Sequence, residues 1–196
     1  MTLFNEAIRL NKADGEALLN RGNIHFDAGR LDSALADYNA ALALDPGVVK
    51  ALVNRGALRA RQGLFDLALE DYAKAQEADS SYDQIYFNRG ITYHFMNKPR
   101  EAIADYRKYL GMHPADAGIM NSIALCQVAL GDFAAAIDTY TKAIGLEENA
   151  VYYQNRAFAW YKLNDFPKAL SDVYKAQSLG ATVSPTLLNA LETGKK

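Results

Sequence analysis

The chain has 196 residues, is 50% hydrophobic in the broad sense and carries a formal net charge of −2. That suffices for one substantial core or one array, and so small a charge gives no reason to expect nucleic acid or an anionic membrane surface as partner. The single cysteine, Cys126, excludes an internal disulfide, Met1–Gly15 does not read as a signal peptide, and no run of about 18 apolar residues spans a bilayer.

In chain order, Thr2–Asn11 opens as a helix. Alternating predicted helices follow at Gly15–Ala28, Leu31–Leu44, Val49–Gln62, Phe65–Ala78, Asp83–Met96 and Pro99–Met112. They continue at Ala117–Leu130, Phe133–Leu146, Ala150–Leu163 and Phe166–Leu179. Pro46 and Pro114 close helices, and Pro99 and Pro167 sit where a first helical turn tolerates proline. Ser184-Pro185 then caps a short amphipathic helix carrying Leu187, Leu188 and Leu191.

The tripeptide Asn20-Arg21-Gly22 returns as Asn54-Arg55-Gly56 and Asn88-Arg89-Gly90, at an interval of 34 residues, and in softened form as Asn155-Arg156-Ala157. A period in this range means stacked supersecondary units. Other columns repeat with it. Ala34, Ala68, Ala102, Ala136 and Ala169 form one. Phe4, Tyr38, Tyr72, Tyr106 and Tyr140 form another, ending in Val173. Gly29, Gly63, Asn97, Gly131 and Asn164 form a third, and its restriction to Gly and Asn marks a tight turn through left-handed backbone. Each unit therefore reads as helix, turn, helix. Between Ala143 and Ala157 the period loses one residue relative to Ala41–Gly56, so one inter-repeat loop is shorter.

These columns resemble the tetratricopeptide repeat. The first full unit carries Leu18, Gly22, Ala34, Tyr38, Ala41 and Pro46 at the family's spacings, with His25 where an aromatic is usual. The resemblance covers nearly the whole chain. It implies an all-α fold, a right-handed α-solenoid whose first helices line a concave groove, closed by a C-terminal capping helix. The expected organisation is a half repeat at 1–14, full repeats at 15–48, 49–82, 83–116, 117–149 and 150–181, and a capping helix and tail at 182–196. Thr2–Asn11 matches a second helix without its partner. It reads either as a chain that starts inside a repeat of a longer protein or as a half-repeat cap.

The Arg column reads Arg21, Arg55, Arg89, Ile123, Arg156. A second-helix column reads Asp37, Asp71, Asp105, Thr139, Asp172. Both change in the same unit, and pairing across neighbouring units fails, since Thr139 would face Arg156. This predicts an Arg–Asp ion pair within each unit. The asparagines Asn20, Asn54, Asn88 and Asn155 share a further column, broken by Ser122. An amide side chain matches a peptide unit's C=O and N–H. In tetratricopeptide arrays of similar sequence such residues hold the backbone of an extended peptide. Helices about 8–10 Å apart and a strand advancing about 3.3 Å per residue would let this ladder meet about every third peptide residue. The alternative is that each Asn bonds the preceding loop of its own array.

Helical spacing adds Glu16, Asn23, Phe26, Asp27, Lys50, Val53, Arg61, Gln84, Phe87, Ile91, His94 and Phe95 to this face. Later units add Asn121, Leu125, Val128, Ala129, Gln154, Phe158, Tyr161 and Lys162. Peptide contact is assigned to Asn20, Asn54, Asn88, Asn155, Phe87, Phe95, Phe158, Tyr161, Lys50 and Arg61, although any single aromatic among them can instead pack between helices. The apolar later units suit an uncharged peptide with bulky side chains or a partner helix. Some family members clamp a chaperone's C-terminal carboxylate with two lysines, an arginine and two asparagines. The matching places here hold Leu19, Asn23, Asn54, Gln84 and Asn88, without a cation, so that mechanism is not expected. Departures cluster between Tyr109 and Thr139, where Tyr109 enters a small-residue column and Gly118, Ser122, Ile123 and Ala124 break the pattern. A local change of twist is expected there.

Catalysis finds no support. His25, His94 and His113 differ in unit and helical phase, no His/Cys/carboxylate cluster has metal spacing, and Cys126 falls in a core column. No cofactor is expected. The reading is a non-enzymatic protein–protein interaction scaffold with a protein or peptide as partner, in a cytoplasmic or periplasmic setting. Alternatives are a regulatory or targeting segment of a larger enzyme or envelope assembly, or a module that self-associates into a homo-oligomer through its incomplete N-terminal repeat.

Overall fold

The computed structural model describes residues 2–11 and 14–193, apart from the side chains of Thr2, Leu3, Thr186, Leu187 and Ala190. The described residues form helices and connecting turns. The chain divides into two compact units, Met1–Asn97 and Lys98–Lys196.

Unit 1 holds α1 (Thr2–Leu10), α2 (Gly15–Asp27), α3 (Leu31–Leu44), α4 (Val49–Arg61), α5 (Phe65–Ala78) and α6 (Gln84–Phe95). Unit 2 holds α7 (Pro99–Met112), α8 (Ala117–Ala129), α9 (Phe133–Leu146), α10 (Ala150–Lys162), α11 (Phe166–Ser178) and α12 (Pro185–Thr193). Within each unit, each helix packs against the next one in the chain.

The Gly/Asn column makes the turns. Gly29, Gly63, Asn97, Gly131 and Asn164 have φ of 72°, 78°, 54°, 78° and 61°. At Gly29 the helix ends in a Schellman arrangement: Gly29 N–H donates to Phe26 C=O at 2.9 Å and Arg30 N–H to His25 C=O at 2.9 Å. Two carbonyls left open at the end of α2 are thereby satisfied. Helix starts are capped from the sequence as well. Asp14 and Asp116 accept from Ala17 N–H and Ile119 N–H at 2.8 and 2.9 Å, which satisfies one of the free donors at each start.

The core of unit 1 is built on close approach. Ala34 and Ala68 are fully buried, and Tyr38 and Tyr72 nearly so. A Cβ added to Gly22 or Gly56 would stand 2.7 or 2.6 Å from the ring of Tyr38 or Tyr72. The glycine of the repeated tripeptide is therefore the floor on which a tyrosine ring of the next helix lies. In unit 2 Ala124 faces this role beside Tyr140, and Ala157 beside Val173. Leu191 of α12 is buried against α11 with Leu188, Trp160 and Val183 around it, so the last hairpin's apolar face is covered.

Three predicted Arg–Asp pairs lie within a unit, and all three form with both guanidinium edges engaged. Arg21 donates to Asp37 through Nε at 2.8 Å and Nη2 at 2.6 Å. Arg55 does the same to Asp71 at 3.0 and 2.7 Å, and Arg156 to Asp172 at 2.8 and 2.7 Å. The aspartates are buried, Asp71 completely, and bidentate geometry is the strongest form such a pair takes. The Asp37 hydrogen bond holds the Arg21 guanidinium even more firmly protonated than usual, and Asp172 does so for Arg156.

The arginines do more than the sequence pattern suggests. Arg21 Nη1 reaches back to Asn5 Oδ1 at 3.1 Å, Arg55 Nη1 to Asn39 Oδ1 at 2.7 Å, and Arg156 Nη1 to Thr141 Oγ1 at 2.9 Å. The sequence separations are 16, 16 and 15, the last shortened by the one-residue deletion. One guanidinium thus ties its own hairpin and the preceding second helix. Asp71 receives a second arginine, Arg59, whose Nη1 stands 2.7 Å from Oδ2. In the exceptional hairpin Ile123 is buried, Thr139 donates to Ala135 C=O in its own helix at 2.9 Å, and Gln127 takes the Arg59 place. In the same region Tyr109 is buried and stacks on His113 with ring centroids 4.4 Å apart.

Asp71→Asn leaves two guanidinium groups facing a neutral partner and should destabilise the protein by about 3–5 kcal/mol. The triple change Arg55→Ile, Arg59→Gln, Asp71→Thr, which copies the Ile123 hairpin, should cost clearly less. Urea unfolding of both variants decides it, and equal losses would show that the pair is not the source of the cost. A second expectation concerns alkali. Burial pushes the Tyr38 and Tyr72 phenols up to about 12. Because the folded state holds these protons more tightly than the unfolded chain, this stability is complete below about pH 10 and is lost as pH rises through about 12. Phenolate absorbance should rise in two phases, the second accompanied by loss of helix in circular dichroism. A single phase near pH 10 with helix intact would contradict this.

Candidate peptide-binding face

In unit 1 the first helices α2, α4 and α6 pack side by side in that order. Between them runs a cleft. One part has a volume of about 270 Å³ and is lined by Asn23, Phe26, Asp27, Tyr38, Asn54, Ala57, Gln84 and Asn88. Through Phe26, Ala57 and Asn88 it continues into a second part of about 470 Å³, walled by Arg61, Phe65, Tyr72, Ile91, Thr92 and Phe95. The polar residues gather at the first part and the apolar ones at the second.

The polar part is organised by Asn23. Its Oδ1 accepts from Tyr38 Oη at 2.9 Å and from Asn54 Nδ2 at 2.7 Å. The raised pKa of Tyr38, caused first by burial and then by Asp27 and Asp37, keeps that hydroxyl a donor. With both donors on one oxygen, the orientation of the Asn23 amide is determined by its network. Its Nδ2 and the Asn54 Oδ1 are left without a hydrogen-bond partner among the described residues. The cleft is therefore lined by a free donor and a free acceptor on adjacent helices. Asn88 differs: its Nδ2 donates to Gln84 C=O in the same helix at 2.9 Å.

In the apolar part the Arg61 guanidinium lies over the Phe26 ring, 5.6 Å from its centroid. Phe95 is 70% exposed, and Thr92 is tied into its own helix through the Asn88 carbonyl at 2.8 Å. Asn20 and Lys50 line a separate depression of about 510 Å³ with Glu16, Leu19 and Asp45. Phe87 is partly buried on α6. In unit 2, Asn155 Nδ2 donates to Asn121 Oδ1 at 2.9 Å, repeating the Asn54–Asn23 pairing in another register. Phe158 and Tyr161 line a cavity beside α12, with Lys162 Nζ 5.2 Å above the Phe158 ring and Phe166 edge-on to Tyr161 at 5.9 Å.

Of the residues singled out by sequence, Asn54, Asn88, Arg61 and Phe95 thus share one cleft. Asn20 and Lys50 share another depression, and Phe158 and Tyr161 a third place. The Asn54 and Asn155 amides bond a side chain on the preceding first helix; neither bonds a loop. The residue underrated from sequence is Asn23. The signal for it was present, because it lies one helical turn after Asn20 and faces the tyrosine column. Cys126 is buried, and burial pushes its thiol up to about 11, which makes it a poor nucleophile at neutral pH. Among the described residues no helix is long and apolar enough to cross a membrane.

A tetratricopeptide-repeat family model matches residues 2–49, 19–83 and 87–150. That is well over half of the chain, so the chain belongs to the tetratricopeptide-repeat family, and its packed helix pairs are those of an α-solenoid interaction scaffold. Its fold is similar to that of YrrB, described as a tetratricopeptide protein with an unusual peptide-binding site, at 20% identity, TM-score 0.80 and 97% coverage of both chains. It is also similar to MamA AMB-1, at 22% identity and TM-score 0.75 over 91% of this chain and 99% of that one. The pilF protein of Pseudomonas aeruginosa matches at 20% identity and TM-score 0.74 over 89% of this chain and 79% of that one. No curated protein matches the sequence.

Asn54→Ala combined with Asn88→Ala should cost about 2 kcal/mol or less, since each removes one part-buried neutral hydrogen bond. Thermal unfolding followed by circular dichroism measures it. A collapse of the melting temperature would instead make these asparagines structural.

Proposed function

We propose that this protein is a non-enzymatic scaffold that grips an extended peptide segment in the α2–α4–α6 cleft. The observation that carries this reading is the open pair of Asn23 Nδ2 and Asn54 Oδ1 on the cleft wall. A peptide unit presents one C=O and one N–H, and these are the groups such a pair complements. A helical partner satisfies its own backbone internally and would leave both groups unmatched at a cost. The neighbouring apolar part, walled by Phe26, Ile91 and Phe95, supplies a place for a bulky side chain. Asp27 and Arg61 stand at opposite parts of the cleft, so neither sign of charge is favoured. The fold neighbour YrrB, described as having a peptide-binding site, agrees with this reading without specifying a ligand.

Selection of random dodecapeptides displayed on phage against the full chain tests the proposal. Enriched sequences should carry a bulky apolar residue and bind as extended chains. The double substitution Asn23→Ala, Asn54→Ala should weaken a selected peptide about tenfold or more, the worth of about one lost hydrogen bond per side chain. Undiminished binding by the double variant would remove the amide pair from the site. Selection of helical, amphipathic sequences alone would replace the extended peptide with a partner helix.

A further inference from the structure

The column that supplies Tyr38, Tyr72, Tyr106 and Tyr140 ends in Val173. In unit 1 each tyrosine ring fills the space against its glycine and carries its hydroxyl to the cleft wall. In the last hairpin the equivalent ring is missing. A cavity of about 300 Å³ lies there, with Val173 and Ala157 at its floor. Its other walls are Phe158, Tyr161, Val183 and Leu191, and its polar margin is formed by Gln154, Thr182 and Ser184. Gln154 Nε2 donates to Thr182 C=O at 3.3 Å, so the strap before α12 is held across the cavity. Gln154 Oε1 and the Ser184 hydroxyl make no hydrogen bond among the described residues.

We infer that this cavity is a binding site for one aryl ring, best a phenol. Its volume is that of a small-ligand pocket. Its walls are apolar, and a cavity so lined is poor in partners for water and takes up aromatic guests. The shape argument comes from the chain itself, because the same column place carries a tyrosine in four other hairpins, Tyr38, Tyr72, Tyr106 and Tyr140. The polar margin offers an acceptor at Gln154 Oε1 for a phenolic hydroxyl. The void is not a mere packing accident to be filled by relaxation: α12 closes over it through Leu191, which is only 4% exposed, while Phe158 remains 46% exposed at its mouth. The site is thus supported from one side and reachable from the other. The ring can come from a free small molecule or from a tyrosine side chain of a peptide. The inference does not rest on the unit 1 cleft, and either can fail alone.

The test is titration of the full chain with p-cresol, followed by methyl NMR at Val183 and Leu191. Saturable shifts confined to these residues and their neighbours are expected, with a Kd of about 1 mM, as suits so small a ring. Val173→Tyr restores the column's own ring and should weaken p-cresol at least tenfold while preserving helicity. A tyrosine ring and an alanine at the glycine position already coexist in this fold, since Tyr140 is accommodated beside Ala124, so Ala157 does not forbid the ring. Should Val173→Tyr unfold, Val173→Leu provides a smaller plug with the same expected direction. N-acetyl-tyrosine amide binding more tightly than p-cresol would assign the ring to a peptide, and the reverse order to a free aryl compound. Absence of saturable shifts, or p-cresol binding unchanged in a folded Val173 variant, would overturn the inference.

Discussion

Three hairpins, α2–α3, α4–α5 and α10–α11, are each held by an arginine on the first helix that lays two N–H groups against a buried aspartate on the second. Taking these charges out of water is costly, and the cost is offset only when the remaining donors and acceptors also find partners. Here the third nitrogen provides that closure and extends it, because Arg55 Nη1 ends on Asn39 and Arg21 Nη1 on Asn5. One side chain therefore sets the spacing within a hairpin and the register to the one before. Asp71, with Arg55 and Arg59 both upon it, is the most heavily engaged of these anchors.

Register then controls what the first helices can offer. Gly22 and Gly56 admit the Tyr38 and Tyr72 rings because no Cβ stands in their way, and the Tyr38 hydroxyl then meets the Asn54 amide on Asn23. The cleft's polarity follows. Two donors converge on one amide oxygen, and what remains is the Asn23 NH2 group and the Asn54 carbonyl oxygen, with no hydrogen-bond partner among the described residues. On the proposed reading, such residual valence is what a visiting backbone would meet, since an apolar wall alone would not distinguish an extended chain from a helix.

Much of this was legible in order along the chain. The Gly/Asn column announced the turns, and all five of its members adopt positive φ. Covariation of Arg with Asp among copies of one motif identified the pairs, because a buried charge cannot lose its partner singly. The hydrogen bonds from Arg to Asn5, Asn39 and Thr141 were not legible. Their column reads Asn5, Asn39, Ala73, Arg107 and Thr141, so the asparagine recurs only once before the column changes chemistry, too short a run to mark a partner. Asn23 stayed in the background because its column continues as Ala57 and Ile91, and only the folded chain brings Tyr38 and Asn54 together on it.

By itself the sequence determined the helical hairpin, its period, its turns and its internal ion pairs, because these depend on contacts between residues at constant separation. Tertiary structure alone decided which amide groups are saturated and which stay open. It also decided that the missing tyrosine ring at Val173 leaves a cavity under α12. Both outcomes depend on the distance between helices, and that distance is the sum of many side-chain volumes that no single column records.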